Sequence, residues 1–535
     1  MFDILIKNGF IIDGSGNPWF KADIAIEEGR ICKIGRISTS EADEIIDASG
    51  LIVAPGFIDM HSHSDFFLLI NPRSESKIRQ GVTTEVIGNC GFSIAPLKPD
   101  KIEIMKNEIG VLAGVVTWDW STFKEYIDKL TKQGISVNVA PLVGHGTLRL
   151  NVMEYENRDP TKDELDEMKA LLAESLEAGA FGMSTGLIYT PGSYAKTEEI
   201  IELARVTSEY GGIYASHIRS EGDKLLEAVK EAIKIGKNAN IPVEISHMKS
   251  AGKQNWGKVK EALRLLELAR EEGIEVTCDF YPYTAGNTGL AACLPPWVHE
   301  GGIEEMLKRL QDPALREKIK KDIEEGIEGW ENLVKSAGWN RMVISYCERN
   351  KEYEGLSISE IAKIRGTNPF DAMFDLLIEE EAVVGIILHM MSEDDMKYVM
   401  KHPLSMVGTD GEGYAPYGPL ARGKPHPRNY GTFPRILGKY VREEKVLTLQ
   451  DAIRKMTSMP AQKLGLFDRG LIREGFWADI VIFDPLKISD KTTFSNPHQY
   501  PTGIEYVIVN GVKVIEKGKH TGELPGKVLS PRRMI

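Results

Sequence analysis

The stretch Phe57-Ile58-Asp59-Met60-His61-Ser62-His63-Ser64-Asp65 decides how the rest of this 535-residue chain is interpreted. An apolar run at 51–54 leads through a Pro-Gly pair into two histidines one residue apart. Side chains at positions i and i+2 of an extended strand point to the same face. His61 and His63 could therefore direct two imidazole nitrogens at one divalent metal, or they could be two solvated histidines at the end of a polar strand.

The composition is typical of a globular protein with a large core, since 42% of the residues are hydrophobic and 27% are charged. A net charge of −13 and the lack of a basic run argue against nucleic-acid binding. The opening residues, MFDILIKNGFIIDGSG, have neither a long apolar core nor a small-residue cleavage site, so we expect no signal peptide. No stretch approaches about 18 uncharged apolar residues, which predicts no membrane span.

The cysteines are few and widely scattered, which favours a reducing cytoplasm over a disulfide framework. There are five of them: Cys32, Cys90, Cys278, Cys293 and Cys347. We therefore expect a cytoplasmic protein. Nothing in the sequence predicts an oligomeric state.

The two ends of the chain share one pattern and the middle has another. Residues 1 to about 50 alternate apolar residues around glycine turns, and the residues after about 478 repeat this hairpin pattern. We expect the two ends, 1–53 and 466–535, to form one small β-sandwich. A chain of this length accommodates such a satellite domain beside a barrel that contains an insertion.

In the middle part, 54–465, apolar strand-like runs alternate with amphipathic helical stretches such as 162–178 and 223–238. With the opening stretch the runs number eight, which predicts a (β/α)8 TIM barrel. Two further runs, at 342–345 and 383–388, also resemble strands, so this count is ambiguous. We interpret about 285–345, with its Pro, Trp and charged helical content, as an insertion after strand seven. The other predicted strands are at 81–87, 137–143, 181–187, 212–217, 242–247, 275–280 and 404–410.

Most of the predicted strands end in a side chain that can bind a metal. In barrel enzymes the catalytic groups lie at the carboxyl ends of the strands. Taken singly, each residue has an ordinary structural explanation, but six of them at strand ends predict a metal site. Zinc accepts these donor types, and three protein ligands plus water make a catalytic site. The six are His61, His63, Cys90, His217, His247 and Asp410.

Several motifs of this chain resemble those of one known family. They are FIDMHSH (57–63), GNCG (88–91), ASHIR (215–219), ISHMK (245–249) and GTDG (408–411). STGLIYTPG (184–192), HPRNYGTFPR (426–435) and GFWAD (475–479) extend the similarity nearly from end to end. Together the motifs resemble the amidohydrolase superfamily and, within it, the D-aminoacylase (N-acyl-D-amino-acid deacylase) family.

The resemblance implies a ligand set in which a cysteine replaces the carbamylated lysine that many relatives use. Consistent with this, the fourth-strand stretch 182–186 contains no lysine. The family pattern implies one tight Zn²⁺ on Cys90, His217 and His247. It also implies a second, weaker metal site formed by His61, His63 and Asp410, with Cys90 as a candidate shared ligand.

The expected chemistry follows from these donors. Zinc lowers the pKa of bound water from about 15.7 towards about 7, which supplies hydroxide at neutral pH. That hydroxide attacks the amide carbonyl, whose oxygen the metal polarises as charge develops. Asp410 is the candidate general base that takes the water proton and returns it to the leaving amine. The alternative for Asp410 is a purely structural ligand or a turn aspartate.

An acylated amino acid presents a free α-carboxylate, which requires a cation and hydroxyl donors for recognition. The resemblance assigns this role to Lys249 and Tyr189. Lys249 follows His247 by two residues and shares its face if the strand continues. Tyr283 and Arg428 are further substrate-binding candidates.

Two points stay open at this stage. His145 could line the site or be a solvated loop histidine. The stretch 281–288 lacks the serine that relatives place near its end to help bind the carboxylate. This leaves the preferred side chain and D-selectivity undetermined.

We therefore expect a zinc-dependent amide hydrolase that releases a carboxylate and a free D-amino acid from a small N-acyl amino acid or peptide-like substrate. Dipeptides, L-acyl amino acids and cyclic amides are the alternative substrates, although the missing fourth-strand lysine weighs against cyclic amides. A non-catalytic barrel would have lost ligands, and this sequence retains all six candidates.

Overall fold

Eight parallel strands form the centre of the molecule in residues 1–531, which are the residues that the computed structural model describes. The third strand is split: its first segment pairs with the second strand and its second segment with the fourth. The ring closes between the first and last strands, where the Met60 N–H donates to the Val407 carbonyl at 3.2 Å. The (β/α)8 TIM-barrel prediction is confirmed. The strands are Phe57–Asp59, Val82–Ile87, Asn138–Pro141 with Val143–Gly144, Gly182–Gly186, Ile213–His217, Val243–Ile245, Val276–Phe280 and Ser405–Val407.

Helices bury the outer face of these strands and the packed barrel interior buries the inner face, which is why the strands have nearly continuous apolar sequences. Two of the helices, Phe123–Gln133 and Lys162–Glu177, begin with capping boxes at Thr122 and Thr161. No helix within residues 1–531 is both long and apolar enough to cross a membrane. Around the barrel the α-helices are Phe67–Ile70, Glu75–Ile78, Ile102–Ile109, Phe123–Gln133, His145–Met153, Lys162–Glu177, Thr197–Glu209, Leu225–Ala239, Val259–Glu271, Glu393–Lys401, Arg428–Arg435, Leu449–Met456 and Ser458–Lys463.

The two ends of the chain form the expected β-sandwich, in which isoleucines from both sheets, such as Ile24 and Ile480, pack into one core. The strand Ile52–Pro55 pairs antiparallel with Ile480–Phe483, which joins the amino-terminal and carboxyl-terminal parts. The domain bounds at 53 and 465 stay a prediction. One sheet contains Phe2–Lys7, Asp23–Glu27, Arg30–Gly35 and Ala42–Asp47; the other contains Phe10–Ile11, Phe20–Lys21, Ile52–Pro55, Ile480–Phe483, Ile504–Val509, Val512–Glu516 and Lys519–His520.

The insertion after the seventh strand is a separate unit with its own core. Its sheet, as described, is antiparallel, and Gly385–Leu388 lies in the middle between Gly286–Gly289 and Met342–Tyr346. The unit therefore extends beyond the predicted end at about 345. Apolar runs look alike in either kind of sheet, so the pattern could not show that 342–345 and 383–388 belong outside the barrel. The helices of the insertion are Ile303–Gln311, Pro313–Glu325, Leu333–Ala337, Ile358–Arg365 and Pro369–Glu379.

Candidate metal centre

The six predicted donors lie together at the carboxyl ends of the barrel strands. They form two groups that share Cys90, and within each group the ligand atoms lie within 4.8 Å of one another. Five of the donors are buried, while His63 is partly exposed. One group is His61, His63, Cys90 and Asp410; the other is Cys90, His217 and His247.

The geometry of the second group fits a tetrahedral zinc ion. Zinc lies about 2.3 Å from a thiolate sulfur and about 2.0–2.1 Å from an imidazole nitrogen, so a tetrahedral angle separates S and N by about 3.6 Å. The Cys90 Sγ lies 3.7 Å from Nδ1 of His217 and 3.5 Å from Nε2 of His247. His61 Nε2 approaches the same sulfur at 3.3 Å. These residues could therefore hold zinc with little rearrangement.

Three of the donors occupy a left-handed backbone conformation. The φ angles are 52° for Cys90, 37° for His247 and 52° for Asp410. Such conformations are uncommon for non-glycine residues and occur often at functional sites. They turn these side chains inward just after the strands end.

The charges of the cluster stabilise a buried thiolate. Burial raises the pKa of the Cys90 thiol, but the charge of His61 and hydrogen bonds from His217 and His247 outweigh this and hold it well below its usual value. Burial lowers the pKa of His61, but the charges of Asp279 and Cys90 raise it well above its usual range. A thiolate beside positive charge is the state that metal binding requires of a cysteine.

Two carboxylates outside the ligand set orient the histidines. Asp279 Oδ2 lies 3.3 Å from Nδ1 of His61, and Asp279 Oδ1 accepts the backbone N–H of His247 at 2.8 Å. Glu221 Oε1 lies 2.7 Å from Nδ1 of His247 and 2.6 Å from Nζ of Lys249. Such contacts fix the tautomer and orientation of ligating histidines and raise their basicity.

Asp410 is held between the histidines and an arginine. Its Oδ1 lies 3.1 Å from Nε2 of His63 and 3.4 Å from Nε2 of His61, while its Oδ2 accepts from Arg428 at 2.6 Å. Burial raises the pKa of Asp410, but the charges of Arg428 and nearby histidines outweigh it and hold this pKa well below its usual value. Asp410 is thus a fixed carboxylate at the centre of the cluster.

A buried lysine joins the first and last strands directly beneath the donors. Lys77 Nζ lies 2.8 Å from Asp59 Oδ2, 2.6 Å from the Thr409 hydroxyl and 2.9 Å from the Gly411 carbonyl. Both charged side chains are fully buried. This pair fixes the strand ends that carry His61 and Asp410.

A small pocket of about 30 Å³ adjoins the cluster. Lys249 and Tyr189 both line it, together with Thr288, whose hydroxyl donates to the Tyr189 hydroxyl at 3.3 Å. The sixth strand ends at Ile245, so it does not continue to Lys249. Glu221 brings Lys249 to His247 instead.

The structure does not bring Tyr283 to the cluster. The Tyr283 hydroxyl donates to the Pro427 carbonyl at 3.4 Å, and Arg435 lies over its ring at 4.8 Å. Tyr281 lines the pocket instead, with Lys249 Nζ 5.6 Å from its ring centroid. The strand ends at Phe280, and side chains no longer alternate regularly after it, so the sequence does not show which of the two tyrosines reaches the pocket. The candidate is therefore Tyr281.

His145 neither lines the pocket nor is solvated. It is fully buried, and its Nε2 lies 2.8 Å from Glu199, which also accepts from Arg149 at 2.6 Å. The pair is part of the barrel wall.

Sequence reasoning missed Asp279, Glu221 and Tyr281. Asp279 could have been found from the sequence, because a single acidic residue inside the buried strand Val276–Phe280 needs a polar or charged partner. Glu221 lies in a loop, and no sequence pattern around it indicates a role at the site.

Comparisons with known proteins point to one family. The model of the amidohydrolase family matches residues 44–515. A D-aminoacylase of Alcaligenes xylosoxydans xylosoxydans is 38% identical over 533 residues, covering 99% of this chain and 98% of the relative. An N-acyl-D-aspartate deacylase from the same organism is 37% identical over 99% of this chain and 95% of the relative.

One solved structure is similar to this chain along the whole length of both proteins. It is an N-acyl-D-glutamate deacylase from Bordetella bronchiseptica, complexed with zinc and a phosphonate inhibitor that mimics the tetrahedral intermediate of the reaction. The TM-score is 0.83 at 35% identity, and 99% of each chain is covered. This chain therefore belongs to the amidohydrolase family and, within it, to the D-aminoacylase (N-acyl-D-amino-acid deacylase) family.

Proposed function

We propose that this protein is a zinc-dependent amide hydrolase that deacylates N-acyl-D-amino acids to a carboxylate and a free D-amino acid. The observation that supports this most directly is the link through Glu221. One carboxylate oxygen contacts both the candidate ligand His247 and the pocket cation Lys249. A metal donor set and a carboxylate-binding cation are thereby held side by side, as an N-acyl amino acid requires.

The tight metal site in this proposal consists of Cys90, His217 and His247, whose S–N separations match a tetrahedral zinc site. A second, weaker site uses His61, His63 and Asp410, with Cys90 available to both. When bound, zinc acidifies a water to a pKa near 7 and polarises the amide carbonyl. The chain's own residues then bind, orient and protonate the substrate.

Asp410 is the proposed general base. Its Oδ1 faces the centre of the cluster, within 3.1–3.4 Å of the two His-x-His nitrogens. The Arg428 bond to Oδ2 fixes the carboxylate plane and leaves Oδ1 to receive a proton. Oδ1 then returns that proton to the leaving amine, a role that contributes about 10²–10⁴-fold in rate.

Lys249 and Tyr189 are the proposed contacts of the substrate carboxylate, and Tyr281 and Thr288 border the same pocket. Lys249 is only 5% exposed. Burial opposes its charged form, but Glu221 outweighs it and raises the pKa of Lys249 above its usual value. A charged lysine in this pocket offers an ion pair to the carboxylate. Arg428, which pairs with Asp410 at 2.6 Å, lines an adjoining cavity and stays a further substrate-binding candidate.

The stereochemistry and the substrate class rest on the relatives named above, and the cytoplasmic location rests on the cysteine content. A hydrolysis panel tests the function: N-acetyl-D- and N-acetyl-L-amino acids beside dipeptides and hydantoins. We expect turnover of the D-acyl compounds at least 100-fold above that of the L-acyl compounds. Preferential cleavage of hydantoins or dipeptides would overturn the assignment.

A further inference from the structure

A side chain of the insertion reaches the loop that follows the fifth barrel strand. This loop carries Glu221, whose backbone N–H donates to Oε2 of Glu331 at 2.8 Å. Glu331 belongs to the insertion and lies two residues before the helix Leu333–Ala337. The insertion therefore contacts the residue that links the candidate ligand His247 to the pocket cation Lys249.

The neighbours of Glu331 fix its position in the insertion. The side chain is only 5% exposed, and Leu333 and Val334, which follow it closely, lie in the core of the insertion. The next residue, Asn332, caps the helix and donates from Nδ2 to the Ile323 carbonyl at 2.6 Å. A packed element of the insertion thus presents the Glu331 carboxyl group to the barrel loop.

The insertion also holds the carbonyl of Glu221. This carbonyl accepts the N–H of Ala251 at 2.7 Å, and Ala251 is fully buried in the core of the insertion. The following N–H, that of Gly252, donates to the carbonyl of Met390, a residue of the same core, at 2.9 Å. Both backbone groups of Glu221 therefore depend on the insertion for their position.

The double contact of the Glu221 side chain tolerates little movement of its backbone. One carboxylate oxygen lies 2.7 Å from Nδ1 of His247 and 2.6 Å from Nζ of Lys249. A displacement of about 1 Å away from both would lengthen these contacts beyond hydrogen-bond distance. An anchor on the Glu221 backbone is thus what keeps one oxygen within reach of two partners.

We propose that Glu331 is a positioning residue, which holds the Glu221 loop where one carboxylate oxygen serves both His247 and Lys249. The insertion thereby contributes to zinc affinity and to binding of the substrate carboxylate. This inference rests on the proposed function and adds a residue of the insertion to it.

Replacing Glu331 with alanine removes the acceptor of the Glu221 N–H. Loss of a carboxylate behind a ligating histidine reduces metal affinity about 10- to 100-fold, and here that carboxylate is displaced rather than lost, so we expect the zinc Kd to rise about 3- to 10-fold. The zinc Kd is measured by competition with a chelator in the absence of substrate.

The same variant tests the pocket through kinetics at saturating zinc. We expect KM to rise about 3- to 10-fold for N-acetyl-D-amino acids, and to change little for matched amides that lack the carboxylate, because only the former need Lys249. A folded Glu331→Ala enzyme with an unchanged zinc Kd and an unchanged KM would overturn the proposal.

Two conservative variants separate hydrogen bonding from packing. Burial and the charge of Glu221 raise the pKa of Glu331 to about 8, so the wild-type side chain is mainly uncharged at neutral pH. Glu331→Gln keeps its shape and an acceptor oxygen and should retain the wild-type constants. Glu331→Asp withdraws the acceptor by one methylene and should raise both constants; it replaces the alanine variant in the test if that variant does not fold. A glutamine variant as impaired as the alanine variant would overturn the proposal.

Glu380→Ala is the matched control within the insertion. Glu380 is also a buried carboxylate that accepts backbone N–H groups, those of Glu348, Arg349 and Asn350. We expect Glu380→Ala to lower stability and leave the zinc Kd unchanged. An equal rise of the zinc Kd in Glu380→Ala and Glu331→Ala would assign the effect to general loosening of the insertion and overturn the proposal.

A double variant, Glu331→Ala with Glu221→Gln, tests whether the first residue acts through the second. If it does, the rise in zinc Kd should be smaller than the product of the two separate rises, whereas a full product would mean independent action and refute the positioning role. Failure of the wild-type enzyme to hydrolyse any N-acyl compound would refute the proposed function itself. Unchanged constants for Glu331→Ala in an otherwise active enzyme refute only this inference.

Discussion

Replacing Glu221 with glutamine tests the link between the metal ligands and the substrate pocket. In the wild-type chain one oxygen of Glu221 lies 2.7 Å from Nδ1 of His247 and 2.6 Å from Nζ of Lys249. Glutamine keeps the shape of the side chain and one acceptor oxygen, but removes the negative charge. The substitution therefore weakens two contacts while leaving the packing nearly intact.

Glu221→Gln should have two separate effects, one at each of these contacts. Loss of a carboxylate behind a ligating histidine typically reduces metal affinity 10- to 100-fold, because the imidazole becomes a weaker base. A hydrogen bond to a charged group contributes about 1.5–3 kcal/mol, which corresponds to a KM about 10- to 150-fold higher for substrates that need Lys249. Both effects should appear in the same variant.

The assay is zinc affinity by competition with a chelator, followed by kinetics at saturating zinc. Glu199→Gln is the matched control, since Glu199 is also a buried carboxylate beside a histidine, but His145 is no candidate ligand. We expect Glu199→Gln to reduce stability and leave the zinc Kd unchanged. If Glu221→Gln changes the zinc Kd no more than Glu199→Gln does, the positioning role of Glu221 is refuted.

Four further outcomes are expected. Removal of metal with a chelator should abolish hydrolysis and one equivalent of zinc should restore it; full activity in metal-free protein would contradict the mechanism. Asp410→Asn should lower kcat about 10²–10⁴-fold with the tight zinc retained, as measured by metal analysis, and an unchanged kcat would exclude the general-base role. Lys249→Met should raise KM for N-acyl amino acids about 10- to 150-fold and spare matched amides that lack the carboxylate, whereas equal losses on both would refute carboxylate binding. Lys77→Met should destabilise the fold by about 3–5 kcal/mol in denaturant titrations, because Asp59 keeps a buried, unpaired charge; a loss below about 1 kcal/mol would contradict this.

The donor residues were predictable because each follows an apolar run that is typical of a β-strand. His217, for example, directly ends the strand Ile213–His217, and strand ends of one barrel meet at one edge. The apolar runs in the sequence and the expected barrel topology were together sufficient to predict that these six side chains lie close together.

The supporting residues were less predictable because their partners are distant in sequence. Glu221 lies in a loop, and only the fold shows that its carboxylate reaches Lys249 28 positions later. Tyr281 and Tyr283 could not be distinguished either, since the regular alternation of side chains ends with the strand at Phe280. The positions of these loop residues depend on packing against the insertion, and the sequence pattern did not show where the insertion ends.

The left-handed backbone at Cys90, His247 and Asp410 restricts how this centre can be engineered. Each such conformation costs about 1–3 kcal/mol in a residue other than glycine, and aspartate, asparagine and histidine tolerate it best. A library that aims to change the metal at position 90 can therefore retain the turn with Cys90→Asp or Cys90→His. A β-branched donor such as threonine strongly disfavours the left-handed backbone conformation, whatever its affinity for the metal. The choice of metals open to a redesigned barrel thus depends on the main chain as well as on the donor atoms.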